Sequence, residues 1–392
     1  MKKKLAILGA SYLQKPLVEK AIEMGIETHV FAWEEGNVVK DIADYYYPIS
    51  IVEKEQILVE CKKIRIDGIT SIASDITIPT VNYIANILCL IGNSMKATVI
   101  STDKFEMRKA LQAGHVSCPA FELFTKPKIE KKRAFNLPVI VKPTDRSGSR
   151  GVTKVESFDL LEEALEKALD SSINRRAIVE EFIQGREFSV EMISYKGKHC
   201  FVAITDKVTT GPPHFVEIEH HQPAQISQEI ENRIINTVKK GLGCLDIRNG
   251  ASHSEVLLMN NGEIRIVEIA GRMGGDLIGS HLVPYSTGFD FVKAVIDVSL
   301  ASFNLKNFEL THKKYSGTYY ILPKPGRITS IKDNSVKFNH IQHTISIMKE
   351  GDVVSRVIDG ANTRAGIIVY AHPEKKVDLD PNAVVEFRTV NI

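Results

Sequence analysis

The chain has 392 residues, 43% of them hydrophobic and 25% charged, with a formal net charge of +2. That length implies about two to four domains, and the near-balance of charge excludes a basic stripe for tracking nucleic acid. No stretch approaches the roughly 18 apolar residues of a membrane span, and the five cysteines (61, 89, 118, 200 and 244) lack any C-x-x-C spacing, which predicts buried thiols in a reducing cytosol.

The opening Lys2-Lys3-Lys4 before Leu-Ala-Ile-Leu imitates a secretory leader, but the apolar run breaks at Gly9. It is too short for a leader core and predicts a first strand and loop over residues 4–12. A helix over 17–24, a second strand over 28–32 and a third over 69–74 follow. The third leads through Asp75 into a helix over 79–88. Strands alternating with helices predict parallel βαβ units, a Rossmann-like domain ending near Asn93. Gly9 alone is no dinucleotide fingerprint, because the second and third glycines are missing.

Residues 102–113 predict a helix capped by Thr102 or Asp103 and stopped by Gly114. Pro119 opens a new unit. Residues 137–142 (LPVIVK) predict a buried strand ending in Lys142, followed by the loop PTDRSGSRG and a strand over 152–155. This loop joins two strands and so is not a Walker A loop. It is still able to cover phosphates with backbone N–H groups and Arg146 or Arg150, the alternative being a plain hairpin tip. An unpaired ammonium would be costly to bury, which favours the phosphate reading for Lys142.

Residues 159–170 predict an amphipathic helix with Leu160, Leu161, Ala164, Leu165, Ala168 and Leu169 on its core side. A buried strand over 177–180 then meets Phe182-Ile183, a turn at Gly185 and an alternating strand over 187–192. Such a connector offers apolar walls and exposed backbone suited to a base edge, with Glu187 placed for ribose hydroxyls. Residues 205–225 read as a long Pro- and His-rich loop between a strand over 200–204 and a helix over 227–242. Its His214, His220 and His221 lack a zinc spacing, and Glu217 and His220 are candidate substrate contacts.

Residues 253–275 (HSEVLLMNNGEIRIVEIAGRMGG) carry the chemistry. Asn261-Gly262 predicts a type I′ hairpin turn, which sets Asn260 opposite Glu263, Met259 opposite Ile264, Val256 opposite Val267 and Glu255 opposite Glu268. Facing carboxylates repel, and a divalent cation between them reverses the sign. Mg²⁺ suits one or two carboxylates plus phosphate oxygens, with Mn²⁺ an acceptable substitute. The alternative is a surface hairpin whose glutamates face water. Arg272 is spaced to reach a phosphoryl or carboxylate oxygen beside the metal, and His253 shares the strand face of Glu255 as a candidate general base. A helix over 289–300 follows. Strands over 317–322, 327–331, 344–348 and 366–371 predict a small β-rich closing domain.

From about Ser101 to Leu300 the chain resembles the ATP-grasp superfamily, and within it the carboxylate–amine ligases typified by bacterial L-amino acid ligases. The resemblance rests on an ordered set: Lys104 in DKFEMRKAL, Lys142 in VIVKP, the SGSRGV loop, EEFIQGREFSVE, HSEVLL and EIAGRMGG. It implies α/β and α+β architecture in four parts. These are a Rossmann-like pre-ATP-grasp domain (1–95), a linker helix and small lid (96–185), a large subdomain with the metal site (186–302) and a β-rich C-terminal domain (303–392).

It further implies that Lys104, Lys142, Ser147, Gly148, Ser149 and Gly151 bind nucleotide phosphates. Glu180, Glu181, Phe182 and Ile183 would form the adenine hinge, Glu187 would meet the ribose, and Glu255 and Glu268 would hold Mg²⁺. Arg272 would hold the acyl phosphate or the carboxylate. One departure stands out: Ala270 occupies the Asn position of the common E-x-N-x-R pattern. The implied activity is ATP-dependent joining of a carboxylate, such as an amino acid, to an amine through an acyl phosphate, by a cytoplasmic protein without nucleic-acid or membrane partners and able to form a homodimer. Bicarbonate-using carboxylase or carbamoyl-phosphate chemistry is the second reading, and a nucleotide-binding regulatory module without turnover is the third.

Overall fold

The computed structural model describes residues 2–128, 136–148, 150–211, 215–358, 360 and 363–391. Among these, the first unit is a parallel four-stranded sheet of β1 (Lys4–Leu8), β2 (Glu27–Phe31), β3 (Tyr45–Tyr47) and β4 (Gly68–Thr70), in the order β3-β2-β1-β4. Its core strands are continuous buried runs, as two covered faces require: every residue of β1 after Lys4 is buried. Helices α1 (Lys15–Glu23), α2 (Lys54–Ile64) and α3 (Ile78–Ile87) accompany it. The prolines near the starts of α1 and α3 sit where a missing N–H costs nothing.

Helix α4 (Met95–Thr102) leads into α5 (Lys104–Ala113), and Asp103 caps α5 by accepting from the Glu106 N–H. The predicted single helix over 102–113 thus begins at Lys104, with Thr102 ending the helix before it. Strands β5 (Phe121–Phe124), β6 (Val139–Pro143), β7 (Thr153–Val155) and β8 (Ala177–Glu181) form an antiparallel sheet ordered β5-β8-β6-β7. Helix α6 (Leu161–Ser171) covers it with Leu161, Ala164, Leu165, Ala168 and Leu169. Leu160, expected in that core, lies in the preceding 3₁₀ turn and is 54% exposed.

The central sheet has eight strands in the order β13-β12-β9-β10-β11-β14-β18-β16. These are β9 (Gly185–Tyr195), β10 (Lys198–Thr209), β11 (Glu217–Gln222), β12 (Gly250–Met259), β13 (Ile264–Ala270), β14 (Tyr315–Ile321), β16 (Ile341–Ser346) and β18 (Gly366–His372). Strands β15 (Gly326–Asp333), β17 (Val353–Val354) and β19 (Val385–Val390) make a separate small sheet. Residues beyond 303 therefore supply three strands to the central sheet as well as this small one. Helix α7 (Gln228–Cys244) packs on one face, and α8 (Val283–Thr287) and α9 (Phe291–Ser299) border the other.

The expected loop over 205–225 is mostly strand: β10 runs on to Thr209 and pairs with β11, Lys207 opposite His220. Polar side chains on both faces of these strands erase the alternating hydrophobic pattern that reveals a strand. Of the three histidines expected there, His214 lies outside the described residues. His220 and His221 are buried, bonded to Tyr320 and to Tyr370 with Glu219.

Candidate active site

The β12–β13 hairpin closes differently from the expected type I′ turn. The Gly262 N–H donates to Met259 O (2.9 Å) and the Met259 N–H to Glu263 O (2.9 Å). Gly262 has φ 82°, while Asn260 and Asn261 are not among the positive-φ residues. This is a three-residue connection, a type I turn ending in a left-handed glycine, and it shifts the register by one. Leu258 faces Ile264, Leu257 faces Arg265 and Val256 faces Ile266, so the expected Asn260/Glu263, Met259/Ile264 and Val256/Val267 pairs do not form. An irregularity between Glu255 and Val256 then absorbs Val267, and Glu255 faces Glu268 as expected.

Their mutual repulsion is relieved by two lysines. Lys207 Nζ lies 2.8 Å from Glu255 and Lys104 Nζ 3.1 Å from Glu268, while Lys104 also donates to Arg146 O at 2.7 Å. Burial opposes ionisation of Glu255, but Lys207 and then His253 outweigh it and hold the carboxyl well below the usual range. Lys207 is buried and also meets Glu187 (2.5 Å) and Glu217 (3.5 Å); desolvation disfavours its charge, and the three carboxylates more than restore it. Sequence reasoning missed this lysine because its strand read as loop. Glu187, set for ribose, is bound to it, and burial raises the Glu187 pKa.

Lys142 sits in a second, deeper network. Its Nζ is 2.7 Å from Glu180 Oε2, while Arg108 Nε lies 2.8 Å from Glu180 Oε1 as an ion contact without hydrogen-bond alignment. All three side chains are buried. Burial lowers the Lys142 pKa, and Glu180 only partly restores it against the positive charges of Arg108 and Lys104. The Glu180 carboxylate is paired inside the protein, and Glu181, Phe182 and Ile183, expected at the hinge, line the cavity beside it. Arg108 had a legible signal: it follows Lys104 by four residues, on the buried face of α5 with Met107 and Leu111.

In the loop after β6, Ser147 and Gly148 line the cavity with Arg146 and Arg150. Ser149 lies outside the described residues. Gly151, expected at the phosphates, lies against the end of α6: a Cβ there would come within 2.8 Å of Ser171. Its φ of 73° and that contact explain the glycine sterically.

His253, the candidate general base, is held between two carboxylates. Its Nδ1 is bonded to the fully buried Glu191, and its Nε2 faces Glu255 at 3.8 Å. Desolvation works against the imidazolium, but Glu191, with Glu255 adding to it, raises the pKa to about 9. At neutral pH the ring already holds its proton and is placed to donate. Arg272 lines the cavity with its guanidinium bound edge-on by Asp75.

Lys104, Lys142, Glu187, Glu255, Glu268 and Arg272 thus converge on one cavity of about 890 Å³. The family description ATP-grasp domain matches residues 135–280. The chain carries an ATP-grasp domain. Alanine–anticapsin ligase of Bacillus subtilis (strain 168) is 28% identical over 304 residues, 68% of this chain and 63% of that protein. The chain thus spans somewhat under two thirds of that relative's length. A D-alanine–D-alanine ligase of Flavobacterium psychrophilum is 32% identical over 137 residues, 33% of this chain and 41% of the relative. The crystal structure of an L-amino acid ligase from Bacillus licheniformis shares the ATP-grasp fold with a TM-score of 0.86 and 21% identity, covering 100% of this chain and 99% of that one.

Among the described residues no group of three or more His, Cys, Asp or Glu side chains is arranged for a metal ion. Two facing carboxylates at the cavity wall nonetheless fit Mg²⁺ chemistry, in which phosphate oxygens and waters complete the octahedron. Ala270, opposite His253 at the usual Asn position, adds no ligand.

Proposed function

We propose that the protein is an ATP-dependent carboxylate–amine ligase that activates an amino acid as an acyl phosphate and joins it to an amine, releasing ADP and phosphate. The observation that carries this reading is the meeting of Lys104, Lys142, Glu255, Glu268 and Arg272 on one cavity. The similarity to ligases whose names specify alanine supports an amino-acid carboxylate.

Attack of a carboxylate on the γ-phosphate sets anion against anion, so catalysis is chiefly neutralisation and alignment. Lys142 is the fixed cation: the Glu180 carboxylate behind it is shared with Arg108 and holds its ammonium in place. Lys104 and Lys207 are exchangeable cations, paired with the two glutamates until nucleotide arrives. Glu255 and Glu268 would hold a divalent cation, which supplies charge neutralisation at the phosphate oxygens. Glu181 to Ile183 and Phe182 with the facing Phe215, ring centroids 6.1 Å apart, form the base pocket, and Glu187 meets the ribose. Arg272 and protonated His253 donate to the acyl phosphate or carboxylate, and the loop bearing Ser147 and Gly148 excludes water from it. Glu217 lines the cavity and borders the amine side, whereas His220, the other expected contact, is buried against Tyr320 and does not line it.

The deciding assay is a matrix of amino-acid pairs with MgATP, read as phosphate release and product mass. Release that requires both members of a pair, with an amide product, is the expected result. Bicarbonate-dependent ADP formation without any amino acid would replace the ligase reading with a carboxylase one. Tight ATP binding with no turnover across the matrix would make the protein a nucleotide-binding module.

A further inference from the structure

The segment after β4 carries the parallel N-terminal unit to the edge of the cavity. The Ala73 N–H donates to Met273 O at 3.2 Å, and Ala73 itself has φ 59°. Two residues on, Asp75 grips Arg272 along one edge: Nε donates to Oδ1 and Nη2 to Oδ2, both at 2.8 Å. Arg272 Nη1 donates to Met273 O at 3.2 Å. A guanidinium has five N–H groups, so these contacts leave one outer N–H on each terminal nitrogen. Arg272 lines the cavity and its side chain is 13% exposed, whereas Asp75 is not among the lining residues.

We propose that Asp75 is a positioning residue for Arg272, fixing the guanidinium so that its end-on pair of N–H groups addresses the transferring phosphoryl, and weakening ground-state anion binding by cancelling its charge. This rests on the ligase reading, in which Arg272 touches the reacting group. Two forces recommend it. A fork bound along one edge keeps only its end free, so a single approach of the phosphoryl is selected without reorganisation during transfer. A fully unpaired arginine would bind substrate carboxylate and product phosphate as strongly as the transition state, which slows turnover instead of raising it. A plain staple between two units explains the ion pair equally well on geometry, but it predicts a different response to substitution.

The test uses the full chain with Asp75→Ala and Asp75→Asn. Two quantities are measured: steady-state kinetics with the best substrate pair, and calorimetric binding of inorganic phosphate in the presence of MgADP. In Asp75→Ala, kcat is expected to fall roughly 10- to 100-fold with the KM for ATP within about twofold. Phosphate is expected to bind several-fold tighter. Asp75→Asn keeps one acceptor for Nε–H and should show the tighter phosphate binding with a smaller loss of kcat. A merely structural role moves neither phosphate affinity nor the Asn/Ala order, and lowers kcat only in proportion to the fraction of protein that binds ATP. That pattern overturns the proposal, as does phosphate binding that is absent in the unaltered protein. If no substrate pair turns over, the ligase reading fails, while the phosphate titration still decides the role of Asp75.

Discussion

Two lysine–carboxylate settings share this cavity and differ in depth. Lys142 and Glu180 are 8% and 3% exposed, with Arg108 closing the network from behind. Glu255 and Glu268 are each about a quarter exposed, and each is held by one lysine at the cavity wall. A buried pair whose members have no other solvation is fixed, because separating them strands a charge. A pair at the wall exchanges partners cheaply, since metal, phosphate and water take the place of what is lost. The deep network is therefore scaffold for a permanent cation, and the shallow one is the part that ligands rearrange.

This contrast breaks most sharply at the shallow pair. Glu255→Gln and Glu268→Gln should each abolish measurable turnover, while circular dichroism and the melting transition stay close to those of the parent. Near-normal activity in either variant would remove the metal assignment. Glu180→Gln reverses the pattern: with Arg108 and Lys142 left facing each other, stability should fall by about 3–5 kcal/mol, seen as a lower urea midpoint. An unchanged midpoint would show that the deep network is not scaffold.

A smaller effect tests burial away from the cavity. His281 is pushed down to about 4, by burial first and by His343 second. The unfolded chain takes the proton first, so this contribution is complete above about 6.5 and is lost as pH falls from there towards 4. Melting temperature should drop across that window, and His281→Asn should flatten the drop; an equal slope in both proteins would exclude His281 as its source. Least of all, Gly262→Ala should cost about 1 kcal/mol, because φ 82° is strained for any side chain. A larger loss, with activity gone, would mean that the turn sets the glutamate register more tightly than the bulge allows.

The sequence made the βαβ unit, the cap at Asp103 and the core face of α6 legible through local signals that need no partner. Glu255 opposite Glu268 was also read correctly, although by two errors that cancel: a turn one residue longer than expected and a bulge that takes the residue back. Lys207 escaped notice because its strand has polar faces, and the close approach of Gly151 to Ser171 has no signal along the chain.

What the amino-acid order determined by itself was which residue types stand on which strand or helix, since periodicity, caps and turn residues act over a few positions. What only the tertiary structure decided was who neutralises whom. Asp75 and Arg272 are 197 positions apart, Lys104 and Glu268 are 164 apart, and His253 and Glu191 are 62 apart. Coulomb energy depends on distance through space and on burial, neither of which is written in spacing along the chain.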